Sequence, residues 1–285
     1  MKNALLLLFL GTFLLATPRA SSPRAKTAQA APAQTGAAQG TPEGGMAQGD
    51  RKPVVVELFT SEGCSSCPPA DALLKKVETE QPIRDAEVIV LEEHVDYWNQ
   101  GGWFDPYSSP EWTQRQQEYV SKLKGQGAYT PQMVVDGQRE FVGNSIRDAG
   151  TAIHEAAQRA KAEITITPEA SVQGDTQHFD VKVAKLADTE SKEDADIWLA
   201  ITEDGLVGDV KAGENAGKSL QHAAILRSFH KIGGVSSGKE SSPFEANPEV
   251  KFKSNWKKEN LRVVVLVQGH KSLRILGAAS ARLAG

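Results

Sequence analysis

Apolar positions are not spread evenly along this chain. Met1 to Ala16 contains an unbroken run, Ala4 to Ala16, and the next 36 residues hold no Phe, Trp, Tyr, Ile, Leu or Val. From Val54 the pattern changes to short buried-looking strands alternating with amphipathic stretches. Val54–Phe59 predicts a strand, and Ala70, Leu73, Leu74 and Val77 recur at helical spacing over Ala70–Glu80. Val88–Leu91 predicts a second strand. Ser109-Pro110 supplies an N-cap followed by proline at the first helical position, so a helix is expected from Pro110 to about Lys124. Met133–Val135, Asp136-Gly137 and Glu140–Gly143 predict a hairpin with a tight turn. Ile146, Ala149, Ile153, Ala156 and Ala160 form one stripe of a helix over Ser145–Ala162. The order β-α-β-α-β-β-α over about 110 residues is that of an α/β domain.

Beyond Glu163 the helical spacing disappears. Short strands are expected at Ile164–Ile166, Phe179–Val183, Asp196–Thr202, His222–Phe229, Leu261–Gln268 and Arg274–Ala279, which predicts an all-β antiparallel sandwich-like domain over 163–285. Val263–Val267, apolar throughout, is expected as a central strand covered on both faces.

The thirteen-residue run behind Lys2 is short of the roughly 20 residues that a spanning helix needs, and it is expected to be a cleaved signal peptide, residues 1–20. Residues 21–52, rich in Ala, Gly, Pro and Gln, cannot bury enough apolar surface to offset chain entropy and are expected as a flexible tether. A periplasmic or secreted protein with no membrane span after cleavage follows. The first 52 residues carry a net +4, which leaves −8 on the remainder. That acidic balance excludes nucleic acid as the expected partner.

Two cysteines cannot build a multi-disulfide scaffold, so their chemistry is the question. Cys64-Ser65-Ser66-Cys67 lies between the first strand and first helix, in a compartment where disulfides form. The helix N-terminus can stabilise a thiolate, so Cys64, toward the exposed loop, is expected to attack and Cys67, against the helix, to resolve. Pro68-Pro69 lack the N–H groups of a helix begun at Cys64, which predicts a start at Pro68 with Ser66 or Cys67 as cap. Glu62 and Asp71 would oppose the thiolate.

Strand, C-x-x-C, helix and a later Thr-Pro leading into a hairpin resemble the thioredoxin superfamily. Val56–Asp71, His94-Val95-Asp96-Tyr97-Trp98, Tyr129–Gly137 and Gly213–His222 further resemble an exported bacterial family known as domain of unknown function twelve twenty-three. The resemblance spans residues 53–285 and implies a thioredoxin-like domain over 53–162. The resemblance to the superfamily implies thiol–disulfide exchange on exported proteins or small thiols without a cofactor. Glu57 would then be the buried acid that moves protons, and Thr130-Pro131, with Pro131 cis, would present backbone to an extended substrate beside Trp98. Copper-delivery members of the superfamily suggest an alternative in which Cys64, Cys67 and His94 hold Cu(I), and His94 as a hydrogen-bonded structural residue stays open beside it. In a third reading the disulfide is only a staple in an envelope binding module. Trp98, Trp103, Phe104, Tyr107 and Trp112 are expected as a peptide-binding rim or as core, and His222 as structural.

Overall fold

The structure is a computed structural model that describes residues 51–169, 174–186, 192–237 and 242–283. The expected signal peptide and the expected tether as far as Asp50 lie outside them.

Strand β1 (Lys52–Thr60) buries every residue from Val54 to Thr60. A strand can do this only in the middle of a sheet covered on both faces. It pairs in parallel with β2 (Ala86–His94), the crossover being helix α1 (Pro68–Glu80), and antiparallel with β3 (Gln132–Val135). Cys67 occupies the N-cap of α1 and a proline follows at N1, so the helix starts where the two prolines require. Helix α2 (Pro110–Leu123) is capped by Ser109 Oγ, which accepts from Glu111 N. Strand β4 (Arg139–Val142) returns from β3 through Asp136 and Gly137. Both have positive φ, 50° and 66°, as the tight hairpin turn requires. A Cβ on Gly137 would also stand 2.0 Å from the Leu273 carbonyl oxygen. Helix α3 (Ile146–Ala157) completes this half, shorter than the stripe predicted.

The second half differs from the separate sandwich expected. Strands β7 (Ala195–Glu203), β10 (Ile225–Val235), β13 (Leu261–Gly269) and β14 (Ile275–Arg282) extend the first sheet, giving one eight-stranded mixed sheet of order β14-β13-β7-β10-β2-β1-β3-β4. The junction is a parallel bridge between Ile225 and Glu92. Strands β5 (Ile164–Pro168), β6 (Thr176–Val183), β11 (Phe244–Ala246) and β12 (Glu249–Lys251) make a small antiparallel sheet. The sandwich-like packing is present, with the large sheet as its second layer: Phe179, Val181 and Val183 pack on Ile197, Leu199, Ile201, Val263, Val265 and Val267. A ribbon of β8 (Val207–Asp209) and β9 (Ser219–Gln221) lies outside both sheets. Strands β8, β9, β11 and β12 span three residues each, too few for a sequence period to show.

Helices α1 and α3 cover one face of the first half through Val54, Val56, Leu58, Met133 and Ile153. On the sheet's other face a single core joins Val55 and Leu91 to Trp112 of α2 and to Ala200, Val264 and Leu266. Val264 and Leu266 thus alternate with Val263, Val265 and Val267, so β13 is the doubly covered strand that its sequence predicts. Because the core crosses the junction, Leu266→Ala is expected to cost about 2–5 kcal/mol and to lower both halves together. Urea unfolding followed by fluorescence of chains retaining only Trp98 or only Trp256 checks this. Two separate midpoints would contradict a shared core.

Candidate functional site

The C-terminal ends of β1 and β2 and the start of α1 converge, and the loop Ser61–Cys67 crosses them. Cys64 and Cys67 are joined as a disulfide with Cα atoms 5.4 Å apart. Both are fully buried, whereas Ser65 and Ser66 between them are exposed. Cys64 is therefore no more exposed than Cys67, because the two exposed serines form the outer bend of the loop. Ser66 Oγ lies 3.3 Å from Cys64 Sγ and 3.5 Å from the Thr130 carbonyl oxygen. The Thr130–Pro131 peptide is cis, and Trp98 Nε1 donates to Thr130 Oγ1 at 2.7 Å. Trp98 also packs on the loop: a Cβ on Gly63 would stand 3.2 Å from Trp98 Cβ. The structure thus brings together Cys64, Cys67, Thr130, Pro131 and Trp98.

The second half holds the loop from the other side. Asn215, fully buried, donates through Nδ2 to the carbonyl oxygens of Glu62 at 2.8 Å and Cys64 at 2.9 Å. Glu214 accepts from Ser65 N at 3.1 Å. The tight approach of this turn rests on Gly213, at φ 73°, where a Cβ would lie 3.1 Å from Trp103 Cβ.

Beneath the loop lies a buried polar cluster. His94 Nδ1 donates to Asp105 Oδ2 at 2.7 Å, and Asp105 also accepts from Glu62 N at 2.8 Å. His222 Nδ1 donates to Glu92 Oε1 at 2.6 Å, while its Nε2 stands 3.3 Å from Glu62 Oε1. Trp103 Nε1 donates to Glu62 Oε2, and Ala223 N to Glu92 Oε2, both at 2.7 Å. Burial alone would depress the His94 pKa, but Asp105 and Glu92 outweigh it and raise it well above the usual imidazole range. Burial likewise opposes the charge on His222, and Glu92 and Glu62 overcome it, raising its pKa to about 9. Burial would raise Glu92 and Asp105; His222 and His94 respectively dominate the reversal, and each pKa falls to about 2. Asp71, buried on α1 and accepting from Thr60 Oγ1 at 2.6 Å, is only partly compensated by His222, that hydrogen bond and His94. Burial and then the Glu92 charge raise its pKa to about 7.

Glu57 lies elsewhere. Its strand neighbours Val55 and Phe59 belong to the cores on the α2 face. Arg115 Nε donates to Glu57 Oε2 at 2.6 Å and Tyr119 OH to Oε1 at 2.5 Å. None of these bonds reaches the dithiol. His94, a ligand with the two cysteines only in the alternative reading, faces Asp105, Glu92, Tyr107 and His222. The aromatic residues divide: Trp112 is core, Phe104 is 72% exposed, and Tyr107 sets its ring against both imidazoles. Sequence reasoning missed the roles of Glu62, Asp105, Asn215 and His222. For His222 no local signal existed, since its partners lie 130 and 160 residues away.

The family described as protein of unknown function (DUF1223) matches residues 55–268. Among solved structures, protein AGR_C_4864 from Agrobacterium tumefaciens is similar at 28% identity and a TM-score of 0.60, over 82% of this chain and 96% of that one. HBP35 of Porphyromonas gingivalis is similar in fold at 17% identity and a TM-score of 0.60, over 82% of this chain and 76% of its own. No curated protein matches.

The cluster's pKa shifts set a pH profile of stability. The raised histidines contribute stability that is complete below about 6.5 and is lost as pH rises through the folded value, about 9 for His222. The depressed carboxylates contribute stability that is lost as pH falls from about 4 towards 2. Asp71, raised to about 7, contributes stability that is lost as pH rises from about 4 through 7. Urea midpoints in metal-free buffer are therefore expected to be highest near pH 4–5 and lower at pH 3 and pH 9. A midpoint higher at pH 9 than at pH 5.5 would contradict the assignment.

Proposed function

This chain belongs to the family of proteins of unknown function DUF1223, and we propose that it exchanges thiols with disulfides through Cys64 and Cys67. The observation that carries the reading is the disulfide at the N-terminus of α1, beside the cis Thr130–Pro131 peptide and its hairpin. That arrangement supports a thioredoxin-like first half, with Thr130 and Trp98 beside the dithiol as the place for an extended substrate. Substrates are exported proteins or small thiols, met in the periplasm or outside the cell, where the leader expected at residues 1–20 would deliver the chain.

In the reducing direction the Cys64 thiolate attacks a substrate disulfide, and one substrate sulfur leaves and takes a proton. Cys67, deprotonated, then attacks Cys64 Sγ and expels the second substrate thiolate, which also takes a proton. The substrate gains two electrons and the chain is left with its own disulfide; oxidation of a dithiol substrate is the reverse. The proton carrier is better sought in Asp71 than in Glu57. Asp71 follows Cys67 by four residues on α1, the separation that stacks side chains on one helix face, and a pKa of about 7 suits it to give and take a proton. Glu57 is engaged by Arg115 and Tyr119.

Cys64→Ser is expected to abolish exchange with a model disulfide, and Cys67→Ser to accumulate a mixed disulfide detectable by mass. An unchanged rate in Cys64→Ser would refute the mechanism. The reduction potential in glutathione buffers is expected between about −120 and −270 mV, and a value below about −300 mV would mark a structural staple. Asp71→Asn is expected to slow resolution at pH 7 by about 10²-fold and to flatten the rate profile around pH 7. Equal slowing at all pH values would leave Asp71 a merely structural part.

A further inference from the structure

The polar cluster under the loop contains more than the exchange reading uses. Glu92, His94 and His222 are fully buried and come from the end of β2 and a distant turn, yet each offers one donor atom within 4.8 Å of the others. His94 Nε2 makes no hydrogen bond and is closed off from solvent; Glu92 Oε1 stands 3.3 Å from it, outside hydrogen-bond geometry. The other nitrogen of the same ring is fixed by Asp105 at 2.7 Å. A carboxylate on one imidazole nitrogen, leaving the second with its lone pair directed inward, is how proteins orient a metal-binding histidine.

We infer that Glu92, His94 and His222 form a buried site for one divalent transition-metal ion. Two imidazoles and a carboxylate suit Zn(II) and its first-row neighbours, and do not require thiolate. Bonds of about 2.1 Å place tetrahedral donors about 3.4 Å apart, close to the 3.3 Å between His94 Nε2 and Glu92 Oε1. The shorter contact between His222 and Glu92, 2.6 Å, is a hydrogen bond that the ion would replace.

Charge points the same way. Glu62, Glu92 and Asp105 place three carboxylates in a fully buried volume with two imidazoles. Neutral imidazoles would leave all three charges uncompensated, a cost of several kcal/mol per ion. Two protons on the histidines, or one divalent ion between neutral histidines, reduce the deficit equally. Glu62 is held at the rim by a specific vacancy in the chain: a Cβ on Gly208 would stand 1.6 Å from its Oε1. Tyr107, whose ring abuts both imidazoles at 5.5 and 5.6 Å, also lines a cleft of about 270 Å³.

The inference does not rest on the exchange reading, and its test separates the two. The purified full chain is loaded with Zn(II), dialysed against metal-free buffer and assayed for zinc by mass spectrometry. About one zinc per chain is expected, kept in the Cys64→Ser/Cys67→Ser double variant and reduced at least tenfold in His222→Ala and in Glu92→Gln. Loading with Co(II) is expected to give visible d–d bands without a thiolate-to-cobalt charge-transfer band, a readout on the unaltered chain that needs no buried variant to fold. Less than a tenth of a zinc per folded wild-type chain would overturn the inference. So would zinc lost with the cysteines, a thiolate band with cobalt, or full retention in a folded His222→Ala.

Discussion

Taking a carboxylate out of water costs several kcal/mol unless its charge and its lone pairs are met where it lies. Glu92, fully buried near the end of β2, sets this condition for the whole molecule. Its side chain is met by His222 Nδ1 and Ala223 N, and its own backbone N–H donates to the Ala224 carbonyl at 3.0 Å. The next residue, Ile225, is where β10 bonds β2. The same short segment thus neutralises the acid and starts the strand that joins the two halves. Without it β2 would be an open edge, and four strands of the second half would have no sheet to extend.

The junction also explains where the dithiol sits. In sheets with parallel strands, functional groups gather beyond the strands' C-terminal ends, where loops diverge. Here the loop after β1 is fixed below by Asp105, which accepts from Glu62 N, and from the second half by Asn215, which donates to Glu62 and Cys64. Backbone carbonyls that would otherwise be buried without partners are satisfied by a side chain some 150 residues distant. The second half is in this sense part of the site, since it completes the hydrogen bonding of the loop that carries the cysteines.

A second buried charge network works on the α2 side. Arg115 lies between Glu57 and Glu93 and stacks on Phe229, its centre 4.3 Å from that ring. Tyr119 and Gln268 complete the set, tying α2 to β1 and to β13. Burial and then the Glu57 charge hold the Glu93 carboxyl well above its usual range, with Arg115 opposing them. This network is one polar tie between the halves, beside the Ile275 N–H that donates to the Asp136 carbonyl at 3.0 Å.

Much of this was legible in the residues. The apolar run of β1, the Ser109 cap, the Asp136-Gly137 turn, the proline-delayed start of α1 and the doubly covered β13 follow from local rules, because strand period, capping and turn chemistry act over fewer than ten residues. Cys64 and Cys67 stood out for the same reason: their spacing is local. Partner choice across the chain was not legible. Nothing near Glu57 in sequence announces Arg115, nothing near His222 announces Glu92, and an all-β second half reads alike whether its strands close on themselves or extend another sheet. Those outcomes depend on which buried charges find compensation and which strand edge is left open. They are fixed only when the chain is assembled, since electrostatics and edge pairing act through space and sequence pattern acts along the chain.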